Sequence, residues 1–429
     1  MTTQSVDDLY KTTESLCPEC GERLPAAVVR RGRELHIRVE CPRHGVAETL
    51  FKKDVGFYQE VSAIADETPD VARSVTPQCT VDLAMAKIIA IDLTQDCNLA
   101  CPVCFADANA EAVPALSTEF ILDRLAQMPA KKLEVTLLGG EPTLREDLPE
   151  MTRRIVDMGF KLKLITNGLR LENRDYAKSL RDAGLEWLIL QFDGFRPEIY
   201  RTLRGRDLLA RKLHIVDLVG ELGFKTCLAM MVISGVNDDQ IGEMIRFGFR
   251  QKGVKHIALL PASSLGRDIM GLGASHLHAE DLMDLIDRQT DGRIGRDDFL
   301  TTMRMMKRVH DVTGHIDFKQ RSCFFPMPLV GDEHDFVPAS RLVQPGGITR
   351  HMRYWGKAGF IARNLFSIDT SEMPDHFLYL SIEKLYGARG IDLQDAGQCN
   401  TLYLTREGLT PSCIYNAMFR GSSPSCGSY

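Results

Sequence analysis

A chain of 429 residues, 44% hydrophobic and 26% charged, is long enough for a barrel-sized domain with smaller modules, and too apolar to be a disordered chain. Its 52 basic and 58 acidic side chains leave a formal charge of −6, so no basic surplus points to a nucleic-acid partner. The opening MTTQSVDDLYKTTESL lacks the features of a signal peptide, and no run approaches the roughly 20 apolar residues of a membrane span. A cytoplasmic chain with no transmembrane segment is expected.

Twelve cysteines lie at 17, 20, 41, 79, 97, 101, 104, 227, 323, 399, 413 and 426. In a reducing cytosol they read as metal ligands or buried small hydrophobes rather than disulfides. Residues 1–80 form a short Cys-rich segment with a strand expected at 34–40. It is too small to build its own core, and a metal staple is a natural remedy. The knuckles CPEC (Cys17, Cys20) and CPRH (Cys41, His44) flank that strand with the spacing of a zinc ribbon or a rubredoxin-like iron site. The fourth ligand of this mononuclear zinc or iron is either His44 or Cys79. Cys79 is favoured because nothing else explains it.

Residues 81–265 alternate strand and helix signals. Continuous apolar runs at 87–94, 132–140, 161–168, 187–194, 225–233 and 256–263 suit parallel strands, and amphipathic patterns such as DLPEMTRRIVDMG lie between them. Six such units fit an open doubly wound sheet or a partial barrel, and periodicity alone does not choose. Residues 266–429 read as an irregular extension, with helices near 277–289 and 297–310, that covers the substrate. An aromatic stretch at 351–366 is either an ordinary packed helix or the lining of an apolar pocket.

After the first of these strands, CNLACPVC places Cys97, Cys101 and Cys104 in one loop. Three thiolates leave one iron of a 4Fe-4S cluster without a protein ligand, open to a small molecule. A zinc ion would want a fourth ligand nearby, and the next candidates are the distant His214 and Cys227. Cys227 sits in an apolar strand and reads as a buried hydrophobe. Arg204, Arg206 and Arg267 are candidates for holding an anionic substrate group, against the alternative of a solvated face.

The array, with GGEPT, ITNG and QFDG ending the next three strands, resembles the radical S-adenosylmethionine (SAM) superfamily. The resemblance implies a partial (β/α)6 TIM-like barrel and a 5′-deoxyadenosyl radical made from SAM. It further implies that Gly139, Gly140, Glu141, Pro142, Thr166, Asn167, Gln191, Asp193 and Asn237 bind the cofactor. The order of SLCPEC, CPRHG, core and late cysteines is similar to the group containing tetraether lipid synthases and class D radical SAM methyltransferases acting on a dihydropterin. That likeness implies formation of a carbon–carbon bond, by C-methylation or radical coupling, on a small-molecule or lipid substrate, with flavodoxin or ferredoxin as electron donor. Auxiliary clusters are typical of the group. The four cysteines left over, Cys323, Cys399, Cys413 and Cys426, match the ligand count of an auxiliary 4Fe-4S cluster. The alternatives are a peptide-modifying maturase, against which the N-terminal knuckles speak, and a non-catalytic electron carrier or sensor, which needs no SAM cradle.

Overall fold

The computed structural model describes residues 8–65, 86–110, 115–267, 276–313, 323–343, 376–387 and 389–419. Four antiparallel strands come first: β1 (Asp8–Leu16), β2 (Arg23–Arg31), β3 (Glu34–Cys41) and β4 (Gly45–Lys52), followed by helix α1 (Val55–Ala65). This ribbon buries Val28, Leu35, Ile37 and Phe51 on one face.

The six expected core strands form as β5 (Ile88–Asp92), β6 (Glu134–Leu138), β7 (Lys161–Thr166), β8 (Trp187–Gln191), β9 (Lys225–Val232) and β10 (Val254–Pro261). Each is parallel to its neighbour. Between and after them lie α2 (Thr118–Leu125), α3 (Leu148–Asp157), α4 (Arg174–Asp182), α5 (Pro197–Arg204), α6 (Leu209–Glu221), α7 (Ile241–Arg250), α8 (Ala279–Gln289) and α9 (Arg296–Thr313). Local chemistry sets their starts: Ser117 and Asn173 cap α2 and α4 by accepting from Phe120 N and Tyr176 N, at 3.2 and 3.0 Å.

The choice between barrel and doubly wound sheet is made by which strand residues meet the helices. Leu164, Leu188, Leu190, Leu228 and Ile257 share one apolar cluster with Met151 of α3, Leu180 of α4, Ile215 of α6 and Met244 of α7. Those four helices therefore cover one face of the sheet. On the other face Ile165, Ile189, Gln191, Ala229 and His256 stay partly accessible, while their strand neighbours are wholly buried. A sheet buried on one face and half open on the other, inside a helical jacket, is a partial barrel around a hollow.

The C-terminal region departs from the irregular extension expected of it. It adds β11 (Phe324–Gly331), β12 (Phe336–Pro338), β13 (Phe377–Glu383), β14 (Thr401–Leu404) and β15 (Leu409–Pro411), with helices α10 (Ala339–Val343), α11 (Leu393–Gly397) and α12 (Ser412–Phe419). The result is one sheet of eleven strands, in the order β12-β11-β13-β10-β9-β8-β7-β6-β5-β14-β15. β13 and β14 run parallel to β10 and β5 and so widen the parallel core at both edges. Pro326 and Pro328 masked β11 in the sequence. They are tolerated because β12 pairs only with Leu329–Gly331, which leaves the prolines on an open edge.

Among the described residues the end strands β12 and β15 do not pair. The ribbon packs against the C-terminal segments. Its Leu16, Val28 and Phe51 pack with Tyr386 beyond β13 and with Cys413 and Ile414 of α12. Asp392, fully buried, accepts from Thr13 Oγ1 at 2.6 Å and from the N–H groups of Gln394 and Asp395, and meets Lys11 Nζ at 2.7 Å. Asp392→Ala removes a helix cap, strands a buried hydroxyl and leaves Lys11 with Asp395 alone. The expected loss is about 2–4 kcal/mol of stability in urea unfolding. A loss under about 1 kcal/mol would show that the ribbon is fastened elsewhere.

Candidate active site

The loop after β5 carries Cys97, Cys101 and Cys104 and is held on every side. Gly140 N donates to Thr94 O at 2.7 Å and Glu141 N to Asp96 O at 2.8 Å. A Cβ on Gly139 (φ 135°) would lie 2.4 Å from Thr94 O, and one on Gly140 2.3 Å from Asp96 O. The glycine pair is thus required by the approach of one strand-end loop to another. Asn109, in the left-handed region at φ 66°, accepts from Cys97 N at 2.8 Å and donates to Leu99 O at 3.0 Å. No sequence motif singled it out.

Three arginines cap the loop's carbonyls, and the solvated face is corrected for Arg204, which is buried, while Arg206 stays exposed. Arg206 donates to Asn98 O at 2.7 Å. Arg267 donates to Cys101 O at 3.0 Å and to Asp107 at 2.7 Å, and its backbone pairs with Cys104. Arg204, only 7% exposed, donates to Val103 O and grips the fully buried Asp193 with two bonds of 2.7 Å. Burial pushes the Cys101 thiol up, and the Arg204 charge works against that rise. Burial likewise holds the Cys97 thiol up at about 11, with Glu141 and the other two cysteines adding to it.

Behind the loop runs a buried polar network. Glu141 accepts from Thr143 N and Oγ1, Thr166 Oγ1 and Asn167 N at 2.5–3.1 Å. Asn167 donates to Asn98 Oδ1 at 2.7 Å. Gln191 donates to Asp193. Asn237 Nδ2 donates to Asp193 O and Met231 O, both at 2.9 Å. Lys212 of α6, fully buried, donates to Asn167 O at 2.5 Å, Gln191 O at 2.8 Å and Gln191 Oε1 at 2.6 Å. Burial pulls its ammonium down to about 7. This lysine was missed because its helix pattern gives no hint of a polar partner.

Of the nine residues expected to touch the cofactor, Gly139, Gly140, Asn167 and Gln191 are partly accessible at the strand ends. Glu141, Pro142, Thr166, Asp193 and Asn237 are buried directly behind them. The donor set fits a 4Fe-4S cluster: three thiols share one loop, and Leu99 N donates to Cys97 Sγ at 3.4 Å.

A second centre lies in the ribbon. The ligand atoms of Cys17, Cys20, Cys41 and His44 all lie within 4.8 Å of one another. His44 completes the set of four that a closed tetrahedral site needs. Cys79, favoured from the sequence, lies outside the described residues. Burial opposes ionisation of Cys41, but hydrogen bonds from the Arg43 backbone and from His44 outweigh it and bring the thiol down to about 6.

The late cysteines are only partly gathered. Cys323 and Cys413 pack in the same apolar cluster beneath the ribbon, whereas Cys399 follows α11 outside it. Cys426 and the aromatic stretch 351–366 lie outside the described residues. Cys227 is buried in β9 as expected. Among the described residues, no helix is long and apolar enough to cross a membrane.

Comparison with known proteins places these features. Residues 91–248 match the family model of the radical SAM superfamily, and residues 9–53 that of the HMPTM N-terminal zinc ribbon domain. The chain is 33% identical to 7,8-dihydro-6-hydroxymethylpterin dimethyltransferase of Methanocaldococcus jannaschii, over 96% of this chain and 94% of that protein. It is 34% identical to GTP 3′,8-cyclase of Aquifex aeolicus over 39% of this chain and 54% of the cyclase. Among solved structures, Streptococcus suis SuiB bound to S-adenosylmethionine matches 41% of this chain and 40% of its own, at 22% identity and a TM-score of 0.36.

Two outcomes are expected. Arg204→Met leaves Asp193 buried without its partner and should lower stability by about 3–5 kcal/mol, most of it recovered when Asp193→Asn is added. Full additivity of the two changes in denaturant unfolding would show that they are not a pair. In the ribbon, Cys17→Ser should remove about one metal ion per chain by elemental analysis. Because the folded Cys41 thiol titrates below its ordinary 9.0, its stabilisation is full above that value, declines as pH falls, and is gone below about 6. Because bound metal competes with protons for the thiolates, metal release on acidification should begin only below about pH 6, and release well above it would contradict the depressed thiol.

Proposed function

Since the chain belongs to the radical SAM superfamily, we propose that it is a C-methyltransferase whose substrate is a small pterin-type heterocycle held in the barrel hollow. The observation that carries this reading is the end-to-end likeness to a pterin dimethyltransferase, 33% identity over 96% of the chain, ribbon included. The GTP cyclases, matched over the core alone, act on a guanine nucleotide. Guanine and pterin share the 2-amino-4-oxopyrimidine ring, and that ring is the substrate feature we infer. A lipid substrate and a peptide substrate have no comparable support.

Cys97, Cys101 and Cys104 would hold the 4Fe-4S cluster, with Gly139, Gly140, Asn167 and Gln191 at the rim where SAM lies. Cluster and SAM, when bound, supply a one-electron cleavage that yields a radical able to take hydrogen from an unactivated carbon. The chain's own part is positional. Arg204, Arg206, Arg267 and Asn109 fix the cysteine loop. Glu141 and Lys212 fix the backbone at the ends of β7 and β8, so that the rim groups keep their places as charge moves. The helical jacket excludes water from the radical's surroundings. Cys17, Cys20, Cys41 and His44 would hold one structural zinc or iron. Cys323 and Cys413, brought together beneath the ribbon, support an auxiliary cluster completed by Cys399 and Cys426. Flavodoxin or ferredoxin is the class of electron donor that a cytoplasmic enzyme of this kind needs.

With reductant, SAM, 7,8-dihydro-6-hydroxymethylpterin and a source of the added carbon, tested as a second equivalent of SAM and as a one-carbon-carrying reduced pterin cofactor, the reconstituted protein should form 5′-deoxyadenosine and a methylated pterin detectable by mass spectrometry. Replacing Cys97, Cys101 and Cys104 together by Ala should abolish both and leave the ribbon metal in place. Persistent 5′-deoxyadenosine in the triple variant would sink the cluster assignment. Cleavage of SAM by the wild type without any pterin product would sink the substrate.

A further inference from the structure

The hollow contains a polar group that neither the cysteine loop nor the SAM rim uses. It stands on the adjacent parallel strands β10 and β13, across the barrel from β6. Ala258 pairs with Ser381 and His256 with Tyr379 in register, which brings His256, Ser381 and Glu383 onto one patch of wall. Their strand neighbours Ile257, Leu380 and Ile382 are fully buried against the helices, so alternation turns these three into the hollow. The side chains of His256 and Glu383 remain 19% and 36% accessible although β10 and β13 are each paired on both sides. Accessible surface at that depth belongs to the cavity.

The hydrogen bonds have a direction. Ser381 Oγ donates to Glu383 Oε1 at 2.7 Å, so its remaining bond, 2.8 Å to His256 Nε2, is one it accepts. His256 is therefore the donor and neutral, and burial together with the Lys163 charge lowers its pKa to about 3. Glu383 Oε1 is thereby fixed in place, while among the described residues no hydrogen bond is formed to Oε2. Lys163, the nearby cation, is engaged by Glu134 at 2.8 Å and lies over the Trp187 ring. Backbone pairing already fixes the register of β10 and β13, so a relay that ends in a half-open carboxylate adds nothing to the sheet and costs desolvation. An oriented carboxylate with a spare oxygen matches a planar ring that offers two adjacent N–H donors along one edge.

We propose that Glu383, oriented by Ser381 and His256, is the specificity-determining group for the substrate and accepts hydrogen bonds from the ring N–H and exocyclic amino group of a 2-amino-4-oxopyrimidine. This rests on the reading that the hollow receives such a heterocycle. It goes further by assigning the recognition edge to a wall no comparison points to. Glu383→Gln replaces one acceptor oxygen by a donor and should turn attraction at that edge into conflict.

The test uses reconstituted, unreduced protein and measures binding of 6-hydroxymethylpterin, of its lumazine counterpart with oxygen in place of the 2-amino group, and of GTP. SAM binding is measured in the same preparations. Wild-type protein should prefer the pterin to the lumazine by at least about tenfold. Glu383→Gln should lose most of that preference while SAM affinity stays within about twofold of wild type. Ser381→Ala, which keeps the carboxylate but frees its orientation, should fall between the two. A Glu383→Gln protein that binds SAM normally and still prefers pterin overturns the assignment and leaves the substrate reading standing. Wild-type protein that binds neither pterin nor GTP overturns both. If GTP is bound instead of pterin and its binding is lost in Glu383→Gln, the edge is upheld and the fused ring that carries it is corrected.

Discussion

The buried pair of Arg204 and Asp193 is the joint from which the site is built. Its two bonds of 2.7 Å tie helix α5 to the end of β8, and the same guanidinium reaches the carbonyl of Val103 inside the cysteine loop. Asp193 also takes Gln191, whose other end rests on Lys212, and its carbonyl accepts from Asn237. A displacement of either partner would thus reach the loop, two strand ends and the turn after β9 together. A charge pair this deep has little value as net stability once its desolvation is counted. Its value here is geometric: it holds in one place groups that come from distant parts of the chain.

Much of this was legible in the sequence. The cysteine loop, the glycine pair and the polar ends of the second to fourth core strands announce themselves because each is a short local pattern with a backbone reason behind it. The six core strands were legible because the half-open face still carries apolar residues such as Ile165, Ile189 and Ala229, which leaves a nearly unbroken apolar run. The direction of the charged residues was not. RGRDLL looks the same whether Arg204 meets water or a buried carboxylate, since the partner lies eleven residues back on another element. Lys212 was hidden for the same reason. Its helix shows an apolar stripe with a lysine in it, and only the tertiary fold supplies three oxygen acceptors.

The C-terminal third was the least legible. Its strands are short, two prolines interrupt β11, and the segments between them break any regular spacing. Their identity comes from the edges they extend rather than from their own pattern. The fourth ribbon ligand shows the limit of counting cysteines. His44 lies 3.4 Å from Cys41 Sγ and 3.6 Å from Cys17 Sγ. A tally of thiols ranked a cysteine far along the chain above a histidine three residues away, although both had been named.

The alternation within the strands has a consequence for how such a protein diversifies. On β8, Leu188 and Leu190 have no accessible surface, whereas Trp187, Ile189 and Gln191 retain some, and the interiors of β9, β10 and β13 follow the same rule except at the buried Cys227, Ala258 and Ser381. Two independent texts are interleaved letter by letter along each strand. One is written in volumes, must fit the helical jacket, and tolerates little. The other is written in donors, acceptors and rings and faces only the guest. Because a residue belongs to one text or the other, a lineage can revise what it accepts by changing every second letter and leave the architecture untouched.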